Sequence, residues 1–354
     1  MALNWSLGVI IELIATPPVI IAFSVVFYRY LQEKNPTYLL LVLTWFSNLV
    51  LIVLDAVSQL LLSQLLFLIG NFFVIPIAYF YVLFIDRISS ESYDPFKLVL
   101  ISLTSSALFV TLLDPNSVVL FTDPIKNLDF VGICAILYWT HILLINSLIL
   151  YYFIKIRLNA PDSVKFYASL NLLGAIIMVP GGLLNIIIGS PIPEGHWLFL
   201  GVAALIISIS FTKEPRLPYI LPFKVYRLAV IEKSGLPLYV HDWATMEDLV
   251  EKELFSGMLQ AVSAFVDESL RKGDIREIRL ANALLIMQPS EQYPIVSVLF
   301  TDKSSRTLRH ALNSFTNLFV QQFSQYFTPP IHTKAFEPAS SLISDCFRFI
   351  PEYD

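Results

Sequence analysis

Charge is scarce in this 354-residue chain: only 14% of residues are Asp, Glu, Lys or Arg, against 56% that are hydrophobic. So apolar a composition excludes an ordinary water-soluble globule and makes the lipid bilayer part of the solvent. Positive charge is scarcer still. The formal net charge is −5, and no Lys/Arg cluster interleaved with aromatics occurs, so nucleic acid is not an expected partner. Cysteine is nearly absent. Cys134 and Cys346 stand 212 positions apart, which excludes a CxxC pair or a cysteine-held metal and predicts two reduced thiols. Catalytic signatures are missing too: there is no GxSxG, HExxH or GxxxxGK[ST] sequence, and neither enzymatic activity, a cofactor nor a metal centre is expected. A basic n-region is lacking at the N-terminus, and the first apolar run continues past Pro17 and Pro18 to Tyr28, so it reads as a span instead of a cleavable signal.

What the sequence has is long apolar runs. Crossing a hydrocarbon core of about 30 Å takes about 20 helical residues. Seven stretches qualify: Leu7 to Tyr28, Tyr38 to Val57, Gln64 to Ile85, Phe96 to Leu113, Phe130 to Ile154, Phe166 to Ile188 and Trp197 to Phe211. In a seven-span arrangement Arg29, Lys34, Arg87, Lys97, Lys155, Arg157, Lys165, Lys213 and Arg216 all fall on one side, and only Lys126 on the other. Basic residues collect in the cytoplasm, which predicts an outer N-terminus and an inner C-terminus in a multi-pass protein of the cell membrane. The expected organisation is a seven-helix transmembrane domain over residues 1–212, a Pro-rich linker over 213–223 and a cytoplasmic domain over 224–354.

The text after Phe211 is that of a soluble domain. Val225 to Glu232 and Leu238 to His241 read as a hairpin around Gly235 and Pro237,. Thr245 and Asp248 can cap a helix that carries Phe255, Met258, Leu259, Val262, Phe265 and Val266 on one face,. Arg276 to Leu280, Ala283 to Met287 and Tyr293 to Phe300 predict three more strands. Ser304 or Ser305 then caps a helix with Leu308, Leu312, Phe315, Phe319 and Phe323 on one side, and Leu342, Ile343 and Phe347 suit a short last helix,. The expected fold is α+β, a single antiparallel sheet burying apolar helix faces.

That order, with Leu228-Ala-Val-Ile-Glu-Lys-Ser-Gly-Leu-Pro-Leu238, the Phe255-Ser-Gly-Met-Leu-Gln-Ala-Val262 helix and Val296-Ser-Val-Leu-Phe-Thr-Asp302, resembles the longin and roadblock-like domains of archaea and of eukaryotic trafficking complexes, over roughly residues 224–349. The resemblance implies a longin/profilin-like interaction module that dimerises or docks a small GTPase or another longin or roadblock protein. The membrane half, through Gly174-Ala-Ile-Ile-Met-Val-Pro180, Asn185 and the last helix beginning at His196-Trp197, resembles the seven-helix sensor region that precedes some prokaryotic histidine kinases. No kinase-type Gly-rich nucleotide segment follows, so phosphotransfer is not expected.

Ionisable groups inside spans cost about 2.5 to 3.5 kcal/mol at a helix centre and call for a reason. Glu12, Asp55 and His141 are such groups, and Asn71, Asn185, Glu194 and His196 fall in the outer half or at its rim. Two readings stay open. Glu12, Asp55, Asn71, Asn185 and His196 line an outward cavity for a small extracellular cation or amine, or the carboxylates reach interfacial water and the asparagines join helices. Pro17, Pro18, Pro76 and Pro180 kink their helices, either as hinges or as packing features. In the C-terminal domain Arg271, Lys272, Arg276 and Arg279 form one candidate partner patch. Glu247, Asp248, Glu251 and Glu253 are either another or a complement to their helix dipole, and an exposed sheet edge offers strand addition between two copies. The sequence thus reads as a membrane sensor or anchor with a partner-docking domain; its rivals are a scaffold without ligand and a transporter regulated by its soluble domain.

Overall fold

The structure, a computed structural model, describes residues 3–90, 93–122, 126–188, 194–232, 236–243, 277–279, 283–290, 292–327 and 333–352, with the backbone alone described at position 90 and over 180–188. The chain divides into two compact units, Met1–Ala160 with Val164–Pro218, and Tyr219–Asp354 with Pro161–Ser163.

Among the described residues, the first unit has seven helical stretches long and apolar enough to cross a membrane. They are α1 (Leu7–Glu33), α2 (Pro36–Leu61), a pair formed by α3 (Gln64–Asn71) and α4 (Val74–Ser90), α5 (Pro95–Leu112), α6 (Gly132–Asn159), α7 (Asp162–Ile188) and α8 (His196–Lys213). Local chemistry sets their ends. Ser6 accepts the Val9 amide at the start of α1, and Lys34, at φ 51°, closes it in the left-handed region,. Asn35 then accepts the Thr37 amide at 2.9 Å and Pro36 takes the first turn of α2, where its missing donor costs nothing,. Along α1, Val9, Glu12, Ala15, Val19, Ala22 and Val26 are buried, while Ile10, Leu13, Ile14, Ile20 and Ile21 are exposed. This three-to-four residue alternation gives one face to the bundle and leaves an exposed aliphatic face on the other side.

The third span is broken, and Pro76 explains where. Lacking an N–H, it leaves the Phe72 carbonyl without its helical donor; that oxygen instead accepts from Ile75 at 3.2 Å, three residues on. The break falls directly after Asn71. Glycines permit close helix approaches. A Cβ on Gly201 of α8 would lie 3.0 Å from the Ala15 carbonyl of α1, and one on Gly70 of α3 would lie 2.9 Å from Leu54 Cβ of α2. Between α5 and α6 the chain forms a short antiparallel hairpin, β1 (Val118–Phe121) with β2 (Asn127–Phe130), which the hydropathy pattern does not announce. At the opposite end of the bundle, the fully buried Asp86 pairs with Lys97, whose ammonium lies 4.7 Å over the Tyr152 ring.

The second unit holds an antiparallel sheet of β3 (Val225–Glu232), β4 (Pro237–Asp242), β5 (Glu277–Arg279), β6 (Leu284–Pro289) and β7 (Ile295–Thr301), in the order β4-β3-β7-β6-β5. Residues alternate between two buried faces, as the pleat requires. Leu228, Val230, Leu284, Ile286, Ile295 and Leu299 pack with α9 (Arg306–Phe323) and α10 (Ser340–Cys346) through Leu308, Phe315, Phe319, Leu342 and Ile343. Ala229, Ile231, Leu285, Met287, Val296, Val298 and Phe300 form the other face. Every residue of β7 is buried, so this central strand is covered on both sides. The helix expected over Thr245 to Val266, with Glu247, Asp248, Glu251 and Glu253, lies outside the described residues.

Candidate functional site

The chemistry of the bundle concentrates at the end that carries the N-terminus. Glu12 projects from the second turn of α1 and is fully buried. Asp55, 4% exposed, projects from α2 two turns before its end. Glu194 stands two residues ahead of α8. The three offer one carboxylate oxygen each, and these oxygens lie within 4.8 Å of one another. Both oxygens of Glu12 and Oδ1 of Asp55 are buried without a hydrogen-bond partner. At that spacing each pair of ionised carboxylates repels by roughly 3 kcal/mol at an effective dielectric of about 20. Such a group is stable only with a proton or a cation to offset the repulsion.

The backbone bends to bring Glu194 there. Its φ is +58°, in a region that costs a side-chain-bearing residue about 1–2 kcal/mol, although Gly195 beside it could occupy that region freely. Burial, and after it the Asp55 and Asp129 carboxylates, hold the Glu194 carboxyl well above the usual carboxylate range. The nearest basic group is the His196 imidazole, with Nδ1 3.7 Å from Glu194 Oε2, beyond hydrogen-bonding distance,. Among the described residues, no lysine or arginine forms an ion pair with any of the three.

Of the residues singled out from sequence, Glu12 and Asp55 therefore meet, and Asn71 and His196 border them. Asn71 is buried beside Asp55 and donates from Nδ2 to the Phe67 carbonyl at 2.9 Å, in the last turn of α3 before the break. The His196 ring meets Trp139 edge-on and Trp197 at a tilt, with ring centroids 5.4 and 4.7 Å away. Trp197 borders both Asp55 and Glu194. Asn185 lies on α7 where only the backbone is described. His141 does not join the cluster; it sits on α6 with Nδ1 3.0 Å from Thr104 Oγ1 of α5. The sequence places Glu194 at the rim, and its membership in the cluster comes from the turn into α8. Its signal was proximity to His196 and Trp197, which is weak without the fold.

A cavity of about 80 Å3 opens next to the cluster, between Asn48, Tyr81, Tyr138, Asn146, His196 and Trp197 and the aliphatic residues around them. Neither Glu12, Asp55 nor Glu194 lines it. In the second unit Arg279 is exposed on the edge strand β5, whereas Arg271, Lys272 and Arg276 lie outside the described residues. No family model and no curated protein matches the chain, so its function has to be read from the carboxylate cluster and the two-unit architecture themselves.

Proposed function

We propose that the chain is a multi-pass membrane sensor: its helical bundle takes a small cationic ligand from outside at Glu12, Asp55 and Glu194, and its cytoplasmic α+β domain docks a protein partner. The observation that carries this reading is the meeting of three carboxylates with which, among the described residues, no lysine or arginine forms an ion pair. The basic residues support the orientation. Nine lie at the end opposite the cluster in a seven-span count and only Lys126 at its own end, a bias that favours an outer cluster and an inner second unit.

The partner half of the proposal rests on the resemblance to longin and roadblock domains. Support comes from the strand order β4-β3-β7-β6-β5, in which the hairpin β3-β4 and the meander β5-β6-β7 join side by side through β3 and β7. A small GTPase or another longin or roadblock protein is the partner class, and a second copy of the chain is the other. Helix α1 packs closely on both α2 and α8, and Pro17 and Pro18 weaken its backbone ladder one turn after Glu12,. A ligand joining Glu12 of α1 to Asp55 of α2 and Glu194 before α8 would therefore bias how these three helices pack, and α8 leads to the second unit through Pro215, Pro218 and Pro222, a stiff connection.

Proximity labelling in membranes from the full-length chain tests the proposal. The expected result is a small GTPase or a longin or roadblock protein among the labelled neighbours, with labelling altered by Glu12→Gln and Asp55→Asn in protein that still inserts and folds. Unaltered labelling would leave a scaffold.

One observation favours a transporter as second reading. Thr37, Thr44, Asn48, Asp55 and Gln59 form a buried polar stripe along α2, about 33 Å from end to end at 1.5 Å per residue, which is enough to cross the hydrocarbon core. Cation uptake into liposomes containing the purified chain, abolished by Asp55→Asn, would establish it.

A further inference from the structure

The identity of the cationic ligand can be narrowed from the cluster itself. Two features matter: the spacing of the oxygens, and the space around them.

Oxygen ligands on opposite sides of a calcium ion, each about 2.3–2.6 Å from it, are about 4.6–5.2 Å apart, and neighbouring ones are closer. The oxygens of Glu12, Asp55 and Glu194 lie within 4.8 Å of one another. One ion of that size can touch all three. Magnesium, at about 2.0–2.1 Å, holds opposite ligands about 4.0–4.2 Å apart, demands a regular octahedron and dehydrates reluctantly, whereas calcium accepts the irregular donor set that three separate segments present. The donors are all carboxylate oxygens, which select hard cations over the thiolate- and imidazole-seeking metals.

An organic ammonium could match the same spacing with its N–H groups, but it also needs room for a carbon body. Glu12 is fully buried with both oxygens unpartnered, and the adjoining cavity has none of the three carboxylates in its wall. A bare ion needs no such room. Charge points the same way, because three carboxylates are better offset by a divalent ion than by a single positive charge.

Resting on the reading of this cluster as the ligand site, we infer that Glu12, Asp55 and Glu194 together coordinate a hard divalent cation of calcium size. The ion would bridge α1, α2 and the turn into α8, with water completing its coordination. His196 and Asn71, which border Glu194 and Asp55, would orient the ligands.

The test uses the full-length chain in lipid nanodiscs, stripped with chelator and titrated with calcium, manganese, magnesium and, separately, methylammonium and choline chloride, with thermal unfolding as readout. Calcium or manganese is expected to raise the unfolding temperature in a saturable way, more strongly than magnesium. Glu12→Gln, Asp55→Asn and Glu194→Gln are each expected to weaken that binding at least tenfold, on the order of what loss of even an indirect metal-site contact costs. Glu194→Gln changes a residue outside the helices and serves if the buried variants do not fold. Terbium(III) in place of calcium reports position: its emission excited through tryptophan is expected to drop in Trp197→Phe with terbium affinity kept. If ammonium compounds stabilise the protein through the same carboxylates and metals do not, the metal assignment is overturned while the ligand site stands. If neither class binds, both are overturned.

Discussion

The side chain of Gln59 pairs with the backbone of Leu128 as a neighbouring strand would. Nε2 donates to the Leu128 carbonyl at 2.8 Å and Oε1 accepts from its amide at 2.7 Å, with both residues buried. This clamp ties the end of α2, one turn beyond Asp55, to strand β2. Replacing Gln59 by Leu leaves a buried donor and a buried acceptor unpaired, at a cost of about 1–3 kcal/mol each. The expected outcome of Gln59→Leu is faster hydrogen exchange at the Leu128 amide and its hairpin neighbours and a lower unfolding temperature. An unchanged Leu128 exchange rate would mean that the hairpin holds itself.

Gly70 sits against α2 at the level of Asp55, and a Cβ there would come within 2.9 Å of Leu54 Cβ and 3.5 Å of the Asp55 backbone nitrogen. Neither position is the free end of a side chain, so α3 has to move. Gly70→Val is expected to destabilise the bundle by about 1–3 kcal/mol, as overpacking does, and to displace Asn71 from Asp55. Cation binding measured by thermal shift should weaken in Gly70→Val although no ligand residue has changed.

The buried pair of Asp86 and Lys97 gives a cleaner measure of electrostatic cost. Asp86 is fully buried, Lys97 reaches it from the first turn of α5, and the Asp94 amide donates to the second Asp86 oxygen at 2.8 Å. Lys97→Met removes the ammonium from a buried carboxylate and is expected to destabilise the protein by about 3–5 kcal/mol. The double variant Asp86→Leu with Lys97→Met removes both charges and should recover most of that loss. Denaturation of the two variants side by side decides it; equal losses would show that packing, not charge, dominates there.

Much of this architecture was legible because bilayer-length apolar runs and strand alternation are written residue by residue. The spans from Leu7 and from Gln64 begin where the apolar runs predict, and β3 occupies Val225–Glu232 as its alternation implies. The break after Asn71 was half legible: Pro76 announces a lost hydrogen bond, but the repair by Ile75 is a matter of geometry. The hairpin of β1 and β2 was not, because four-residue strands held by a glutamine from another helix leave little periodic signal. At the site, Glu12 and Asp55 stand out because a carboxylate in an apolar run is costly. Their meeting with Glu194 depends on the packing of α1 between α2 and α8 and on a left-handed turn at Glu194, which no local pattern encodes.

The last prediction concerns acid. His241 lies on β4 opposite Leu228 of β3, with its ring edge-on to Trp243 at 4.5 Å. Burial pulls its ionisation below the ordinary histidine value, against the opposing pull of the Asp242 and Glu352 carboxylates. In the unfolded chain the imidazole takes up its proton as pH falls through about 6.5; in the folded unit it does so only at lower pH. Between those two points the unfolded state binds more protons, so stability drops as pH falls and is recovered as pH rises. Above about 6.5 the imidazole is neutral in both states and contributes no pH dependence. Hydrogen exchange of the β3 and β4 amides in the full-length chain should therefore show less protection at pH 5.5 than at pH 7.5, after correction for intrinsic exchange. His241→Gln, which cannot titrate, should reduce that difference. Were the difference unchanged in the variant, the acid sensitivity of this edge would have to come from its carboxylates, and Asp242, paired with Arg227 across the same hairpin, would be the next residue to replace.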